Sequence, residues 1–91
     1  MVLSAAEVGR DAPDGWSPVG DALVKEFTFR GFTAAVAFVQ RLVEPANTAR
    51  HHPDLEIHYN RVIVSLTTHD AGGVTEQDLG LARTIDALEE I

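Results

Sequence analysis

The alternation of apolar and polar residues in the second half of the chain constrains the fold most. Apolar residues occupy every second position from Leu55 to Tyr59 and again from Val62 to Leu66. Because successive side chains of a β-strand point to opposite faces, each stretch predicts a strand with one apolar face. Residues 60 and 61 interrupt the pattern and can turn the chain. If the alternation continues past Leu66, His69 ends the second strand on its more polar face.

A further pair of strands is predicted nearer the N-terminus. The cluster "RDAPDG" at 10–15 has turn composition, the following "WSPV" is short and extended, and "GD" at 20–21 suits a hairpin turn. In the stretch 22–29, Leu23, Phe27 and Phe29 share one face. Lys25 interrupts that face, which an edge strand or a partly exposed strand would permit.

The first and last helices are predicted from their start signals. Ser4 followed by Glu7 has the spacing of a capping box, in which two side chains satisfy free amides at a helix start. The run "TEQD", from Thr75 to Asp78, repeats that spacing. It precedes an apolar stripe with helical spacing that consists of Leu81, Ala82, Ile85 and Leu88.

The middle helix begins where the apolar period changes. Behind Thr33, which we expect to be the N-cap, the apolar residues follow helical spacing and predict a helix from 34 to about 44. We expect Pro45 to end or kink this helix near Val43 or Glu44, because proline lacks an amide donor and clashes with the preceding turn.

Taken in chain order, these elements are helix, strand, strand, helix, strand, strand, helix. An antiparallel sheet with helices on one face, an α+β fold, buries all the apolar faces at once. The 91 residues suit one domain, 1–91, with a small core. The chain contains no cysteine, so neither disulfides nor thiolate metal sites can supplement that core. We therefore expect a homo-oligomer.

The charge balance bears on the partners of the chain. The chain has fourteen acidic and seven basic residues, a formal net charge of −7, and the basic residues are scattered along the sequence. This argues against direct nucleic-acid binding and against an anionic membrane surface, since both reward clustered Lys and Arg. No apolar run is long enough to span a bilayer, and the N-terminus lacks the pattern of a secretory signal. The default expectation is a cytoplasmic protein.

All four histidines lie between residues 50 and 70. His51 and His52 stand directly before Pro53, which disfavours helical geometry at His52 and predicts a fixed, extended exit from the helix. A hairpin could bring His69 back beside them. Imidazole titrates near neutral pH, so converging histidines can donate and accept protons.

Less specific interpretations stay open for the histidines and for two other candidate residues, Trp16 and Asp78. His58 is most simply a surface residue, and Asp78 most simply caps its helix. Trp16 is a core or interface residue, or it stacks on a ligand. The histidines could instead hold zinc, but the helical i, i+4 pair and the cysteine partners that make such a site specific are lacking.

The run "HHPDLEIHYNRVIVSLTTHD" followed by "GGVTEQDLGLARTID", together with "GW" and "KEFTFRGF" upstream, resembles the pterin-4a-carbinolamine dehydratase family. The resemblance covers almost the whole chain from Gly15 onward. It implies a four-stranded antiparallel sheet with three helices packed on one face. It also implies dimers or tetramers, and loss of water from a 4a-hydroxytetrahydropterin without a metal or an organic cofactor.

The resemblance also implies roles for individual residues. By position, His51 and His69 correspond to the acid–base groups, and His52 to a histidine that binds substrate. Trp16 and the backbone around Pro53 could provide a wall and hydrogen bonds for the flat ring, and Asp78 corresponds to an acidic residue kept near the site.

The chain departs from the family pattern in three places. Asn47 stands where a Glu is frequent, Arg50 stands where Asn or Asp is frequent, and Pro45 falls within the usual helix. Because of these departures, a dehydratase activity lower than that of the family remains an alternative expectation. Family relatives also act as a transcription-factor dimerisation cofactor or as Rubisco assembly factors, so a binding or assembly module is the alternative function. A metal-dependent hydrolase is a third hypothesis.

Overall fold

Residues 1–89, the part of the chain that the computed structural model describes, form three helices with a pair of strands between each helix and the next. Their order is the predicted one, and the α+β fold with an antiparallel four-stranded sheet is confirmed. The elements are α1 Ala5–Asp11, β1 Ser17–Val19, β2 Ala22–Thr28, α2 Phe32–Ala49, β3 Asp54–His58, β4 Arg61–Leu66 and α3 Glu76–Glu89.

The sheet has the strand order β1-β2-β4-β3, with each neighbouring pair antiparallel. In the register, Phe27 of β2 lies opposite Val62 of β4, which in turn lies opposite Ile57 of β3. The fully buried side chains of β2 and β4 belong to the face that this row occupies, so the helices cover that face; they are Leu23, Phe27, Val62, Val64 and Leu66. His58 falls in the other row, as its alternation predicts.

An aromatic cluster joins α2 to the sheet. The ring centroid of Phe38, on α2, lies 4.8 Å from that of Phe27 and 4.9 Å from that of Phe29. Trp16 meets Phe27 edge-on at 5.9 Å. Aromatic pairs at these separations stabilise a core beyond the area that they bury. Leu79 and Ile85, both on α3, complete the buried cluster on the same side.

Lys25 lies on the buried face of an interior strand, not on an edge strand. Its ammonium group lies 2.9 Å from a carboxylate oxygen of Asp86 and 4.6 Å from the ring centroid of Phe27. The same carboxylate accepts a hydrogen bond from the indole N–H of Trp16. The ion pair and the aromatic ring explain how a partly buried lysine is tolerated there.

The capping box that the sequence predicts at the first helix is present. The backbone N–H of Glu7 donates to the hydroxyl of Ser4, and the carboxylate of Glu7 accepts from the N–H of Ser4 at 2.8 Å. The Ser4 N–H lowers the pKa of the Glu7 carboxyl, because it hydrogen-bonds the charged form.

The prediction for α2 was wrong at both ends. The helix begins behind Gly31, not Thr33, and it continues through Pro45 to Ala49. Ala46 is 4% exposed and follows Leu42 on the buried stripe, so packing on the core favours helix beyond the proline. Tertiary burial has outweighed the local penalty of Pro45. The extra length carries the chain directly to the histidine pair.

Candidate functional site

A cleft of about 430 Å³ lies between the end of α2 and the loop that follows β4. Its walls are residues 50–54, residues 67–70 and Gln77 at the start of α3. His51, His52 and His69 all line this cleft, and Pro53 lines it beside them. Three of the four histidines of the chain are thus brought to one hollow from two separate segments.

The end of α2 determines where the histidine pair lies. Arg50 adopts the left-handed conformation, with φ 54°, and its N–H reaches the carbonyls of Ala46 and Asn47. The N–H of His51 bonds the carbonyl of Ala46 at 3.1 Å. These bonds close the helix in the manner of a left-handed C-cap, so the chain turns sharply and enters β3 two residues after His52. Residues 51–53 belong to neither helix nor strand, and Pro53 disfavours helical geometry at His52.

His51 is anchored on a buried carboxylate. Its Nε2 atom hydrogen-bonds Oδ1 of Asp78, whose side chain is 0% exposed, whereas the side chain of His51 is 11% exposed. Because an ionised carboxylate can only accept, Nε2 carries the proton of this bond. Nδ1 of His51 makes no hydrogen bond to residues 1–89, and it is not among their buried polar atoms that lack partners. It is therefore the ring nitrogen that remains available to a ligand in the neutral imidazole.

Asp78 is held by further donors. Its Oδ2 atom accepts from the hydroxyl of Thr68 at 2.9 Å and from the backbone N–H of Thr75 at 2.8 Å. The hydroxyl of Thr75 lies 2.8 Å from that of Thr68 and accepts from the N–H of Gln77 at 3.3 Å. Asp78 thus closes half of the predicted capping box while it also supports His51. Burial of an ionised group is tolerated when it is hydrogen-bonded in this way.

His52 is more exposed than His51 and is oriented by α2. Its Nε2 atom lies 2.8 Å from the amide oxygen of Asn47, one turn before the end of the helix. Asn47 is the residue that replaces the frequent Glu of the family pattern. A neutral amide can orient the ring but brings no charge to it.

The placement of His69 differs from the strand end that the alternation predicts. β4 ends at Leu66, and Thr68 forms an isolated bridge with Gly73, so residues 69–72 make a tight loop with His69 at its first position. Gly72 has φ 82°, a conformation that favours glycine. His69 is exposed on this loop and still lines the cleft.

Trp16 lies away from the cleft. It is 6% exposed, packs against Phe27 and donates its indole N–H to Asp86. In the described residues Trp16 is therefore a core residue, and its ring-stacking role stays a prediction. The cleft walls that the structure describes contain no aromatic side chain other than the imidazoles.

The hydrogen bond from Thr68 to Asp78 has no signal in the sequence. Thr68, in the loop after β4, and Asp78, on α3, are ten residues apart, and neither periodicity nor a start signal pairs them. Thr75 carries a start signal for α3 and no further signal in the sequence. A second cavity, of about 450 Å³ between α2 and α3, shares His51 and Gln77 with the cleft but neither of the other histidines.

Two features of the described residues bear on other classes of function. Among residues 1–89, no three His, Cys, Asp or Glu side chains gather closely enough to hold a metal ion. No helix in the same range has the length and apolar character needed to cross a membrane.

The sequence profile of the family described as "Pterin 4 alpha carbinolamine dehydratase" matches residues 2–88. The chain belongs to this family. A provisionally named pterin-4-alpha-carbinolamine dehydratase of Thermosynechococcus vestitus is 57% identical over 74 residues, which cover 81% of this chain and 78% of that protein. One of Trichormus variabilis with the same provisional name is 48% identical over 90 residues, 97% of each chain.

Two solved structures share the pterin-4a-carbinolamine dehydratase fold of this chain. A transcriptional coactivator/pterin dehydratase from Brucella melitensis superposes with a TM-score of 0.91 at 35% identity, covering 98% of this chain and 99% of the other. A pterin dehydratase-like protein identified as a RuBisCO assembly factor in the alpha-carboxysome gives a TM-score of 0.66 at 21% identity, covering 81% and 86%. The second likeness concerns the fold alone.

Proposed function

We propose that this chain catalyses the dehydration of a 4a-hydroxytetrahydropterin to the quinonoid dihydropterin. The observation that carries the proposal is the cleft in which His51, His52 and His69 meet, in a chain of the pterin-4a-carbinolamine dehydratase family. A cavity of about 430 Å³ is within the range of small-molecule sites.

The chemistry needs an acid and a base on neighbouring atoms of the ring. The C4a–O bond breaks as a proton is delivered to the hydroxyl, which leaves as water. The adjacent ring nitrogen loses its proton, and its electron pair forms the new C=N bond. Imidazole and imidazolium coexist near neutral pH, so two histidines can divide these tasks.

The structure supports different duties for the three histidines. His51 has one nitrogen committed to Asp78 and the other available, which suits repeated proton transfer in a fixed orientation. His69, on the opposite wall, is the second acid–base group. His52, held by Asn47, and the backbone at Pro53 bind the substrate. Asp78, which is buried, orients His51 through the hydrogen bond to Nε2. Neither a metal nor an organic cofactor takes part in this proposal.

Rapid mixing of the purified protein with a synthetic 4a-hydroxytetrahydropterin tests this function. We expect His51→Ala and His69→Ala each to lower kcat by about 10²- to 10⁴-fold, the usual contribution of a general acid or base. His52→Ala should mainly raise KM. His58→Ala is the matched control. Because His58 lies on the other face of the sheet, this variant should retain full activity. A folded wild-type protein that leaves the spontaneous dehydration rate unchanged would exclude the proposal.

The alternative function is a non-catalytic binding or assembly module. The Brucella relative is described both as a coactivator and as a dehydratase, and at 35% identity it keeps this alternative in view. Affinity capture that recovers one stoichiometric protein partner, equally with wild type and with His51→Ala, would favour the module.

We further propose that the chain forms a homodimer or homotetramer through β3. This strand ends the sheet, and all five of its residues are exposed, including Leu55 and Ile57. Unpaired strand edges with apolar side chains favour pairing with another strand. Light scattering should give an oligomeric mass that Ile57→Lys reduces, whereas Val19→Lys on the opposite edge strand leaves it unchanged. A monomeric wild-type protein would rule out this assembly.

A further inference from the structure

We infer that Thr68 is a positioning residue that holds the two acid–base histidines of the proposed dehydratase in a fixed relation. Its side chain acts on His51 through Asp78, and its backbone holds the loop that carries His69. The inference rests on the proposed function for the meaning of the two histidines, but its geometry can be tested independently of catalysis.

The hydroxyl of Thr68 takes part in a chain of hydrogen bonds with one direction. The carboxylate of Asp78 can only accept, so the Thr68 hydrogen points to Oδ2 at 2.9 Å. The oxygen of Thr68 is then the acceptor for the Thr75 hydroxyl at 2.8 Å. The Thr75 oxygen in turn accepts from the N–H of Gln77. Each hydroxyl has one donor bond to make, so no alternative direction satisfies the buried carboxylate equally well.

This series of hydrogen bonds determines which oxygen of Asp78 faces His51. Oδ2 is occupied by Thr68 and by the N–H of Thr75, so Oδ1 is left to accept from Nε2 of His51. The carboxylate is fully buried and cannot replace a lost donor with bulk water. Removing the Thr68 hydroxyl therefore frees Asp78 to rotate, and the ring of His51 loses its fixed tautomer and orientation.

The backbone of Thr68 anchors the other histidine. Its N–H donates to the carbonyl of Gly73 at 3.0 Å, and its carbonyl accepts from Ala71 at 3.0 Å and Gly72 at 2.9 Å. These bonds close the loop 69–72 on Thr68. Since His69 is the next residue along the chain, the backbone conformation at Thr68 determines the direction in which His69 leaves.

The strand register explains why one residue can contact both halves of the site. Asp54 lies opposite Ser65 at the end of the β3–β4 pairing. Three residues further out along each segment stand His51 and Thr68. The same antiparallel arrangement that pairs the strands thus brings these two residues to opposite walls, where Asp78 joins them from α3.

The test compares three substitutions. Thr68→Val keeps the shape of the side chain but removes the hydroxyl, and Thr68→Ser keeps the hydroxyl. Thr84→Val is the matched control, because Thr84 is exposed and its hydroxyl bonds only the Gly80 carbonyl among the described residues. We expect Thr68→Val to lower kcat by about 10- to 100-fold with little change in KM, an effect of misplaced catalytic groups. Thr68→Ser should restore kcat to nearly the wild-type value.

A spectroscopic readout separates positioning from a general loss of stability. Nitrogen-15 NMR of the imidazoles should show His51 as the Nε2–H tautomer in the wild type and in Thr68→Ser. In Thr68→Val, the Nδ1–H tautomer should become populated. If Thr68→Val does not fold, Thr68→Ala removes the hydroxyl without placing a second methyl group beside the carboxylate.

Three outcomes would overturn the inference. These are an unchanged tautomer in the folded hydroxyl-less variant, an unchanged kcat in that variant, or a Thr68→Ser protein as impaired as Thr68→Val. A wild-type protein without dehydratase activity would defeat the proposed function alone, because the NMR comparison would still decide whether Thr68 orients His51.

Discussion

The Nε2 atom of His52 lies 2.8 Å from the amide oxygen of Asn47, at the position where the family pattern frequently has a glutamate. A carboxylate would form a charge-assisted hydrogen bond to the same ring, roughly twice as strong as a neutral one. We therefore expect Asn47→Glu to lower KM and Asn47→Ala to raise it, each by about threefold to tenfold, on the energy scale of a single hydrogen bond. Steady-state kinetics would measure both, and equal KM values in the two variants would contradict this orienting role.

Asp78→Asn should impair catalysis while it largely preserves the shape of the site. The amide can turn its NH₂ toward Nε2 of His51, which would favour the Nδ1–H tautomer and occupy the nitrogen that the cleft needs. A fall in kcat of about 100-fold or more is expected, since acid–base catalysis contributes about 10²- to 10⁴-fold. Asp21→Asn, in the exposed hairpin turn, is the charge-matched control. An active Asp78→Asn enzyme with wild-type kcat would show that this carboxylate does not orient His51.

The left-handed conformation of Arg50 predicts a pair of stability changes with opposite signs. Arg50→Gly should raise the free energy of unfolding by up to about 1 kcal/mol, because glycine adopts a positive φ without steric penalty. Ala49→Gly, one residue earlier and still helical, should lower it by roughly 0.5–1 kcal/mol. Urea denaturation of both variants would measure the difference. Destabilisation by both substitutions would contradict the C-cap argument.

Replacing Pro45 should stabilise α2. Proline inside a helix removes a hydrogen bond and costs about 3 kcal/mol in helix propensity, although it also restricts the unfolded chain. We expect a net gain of about 1–2 kcal/mol for Pro45→Ala, measured by thermal or urea unfolding. Since Pro45 does not line the histidine cleft, kcat should be unchanged in this variant.

The capping box of α1 predicts a local dependence on pH. The pKa of Glu7 is lowered from its ordinary value of 4.5, chiefly by the backbone N–H of Ser4. A carboxyl whose pKa is depressed on folding stabilises the folded state above its unfolded pKa, and this contribution is lost as pH falls through the lower, folded value. The amide signals of α1 should therefore report fraying below about pH 4.5. Glu7→Gln keeps a hydrogen-bond acceptor but cannot titrate, so the first turn of α1 in that variant should not respond over this range.

The sequence predicted most of the sheet because alternation is a local signal. Val62, Val64 and Leu66 repeat at every second position, and the structure buries all three. The end of α2 was not predictable in the same way, since the penalty of Pro45 is local whereas the burial of Ala46 depends on the completed core. The direction of His69 does not follow from the alternation, because β4 ends at Leu66 and Thr68 forms an isolated bridge with Gly73.

The candidate site was only partly accessible from sequence for a similar reason. Neighbours such as His51, His52 and Pro53 are visible in the chain itself. The bond from Thr68 to Asp78 joins the loop after β4 to α3, so it follows from tertiary packing and has no periodic signature. Trp16 shows the converse, because a conspicuous residue type proved to pack against Phe27 instead of lining the cleft.

The hairpin between β3 and β4 turns at Tyr59 and Asn60. Counted in residues along the chain, His51 on one wall of the cleft and Thr68 on the other are equally far from this turn. Length changes within this hairpin are therefore coupled. A residue inserted in one arm alone would offset His51 against Thr68 by one strand position, so natural variation in this hairpin should take the form of matched insertions or deletions on both sides of the turn.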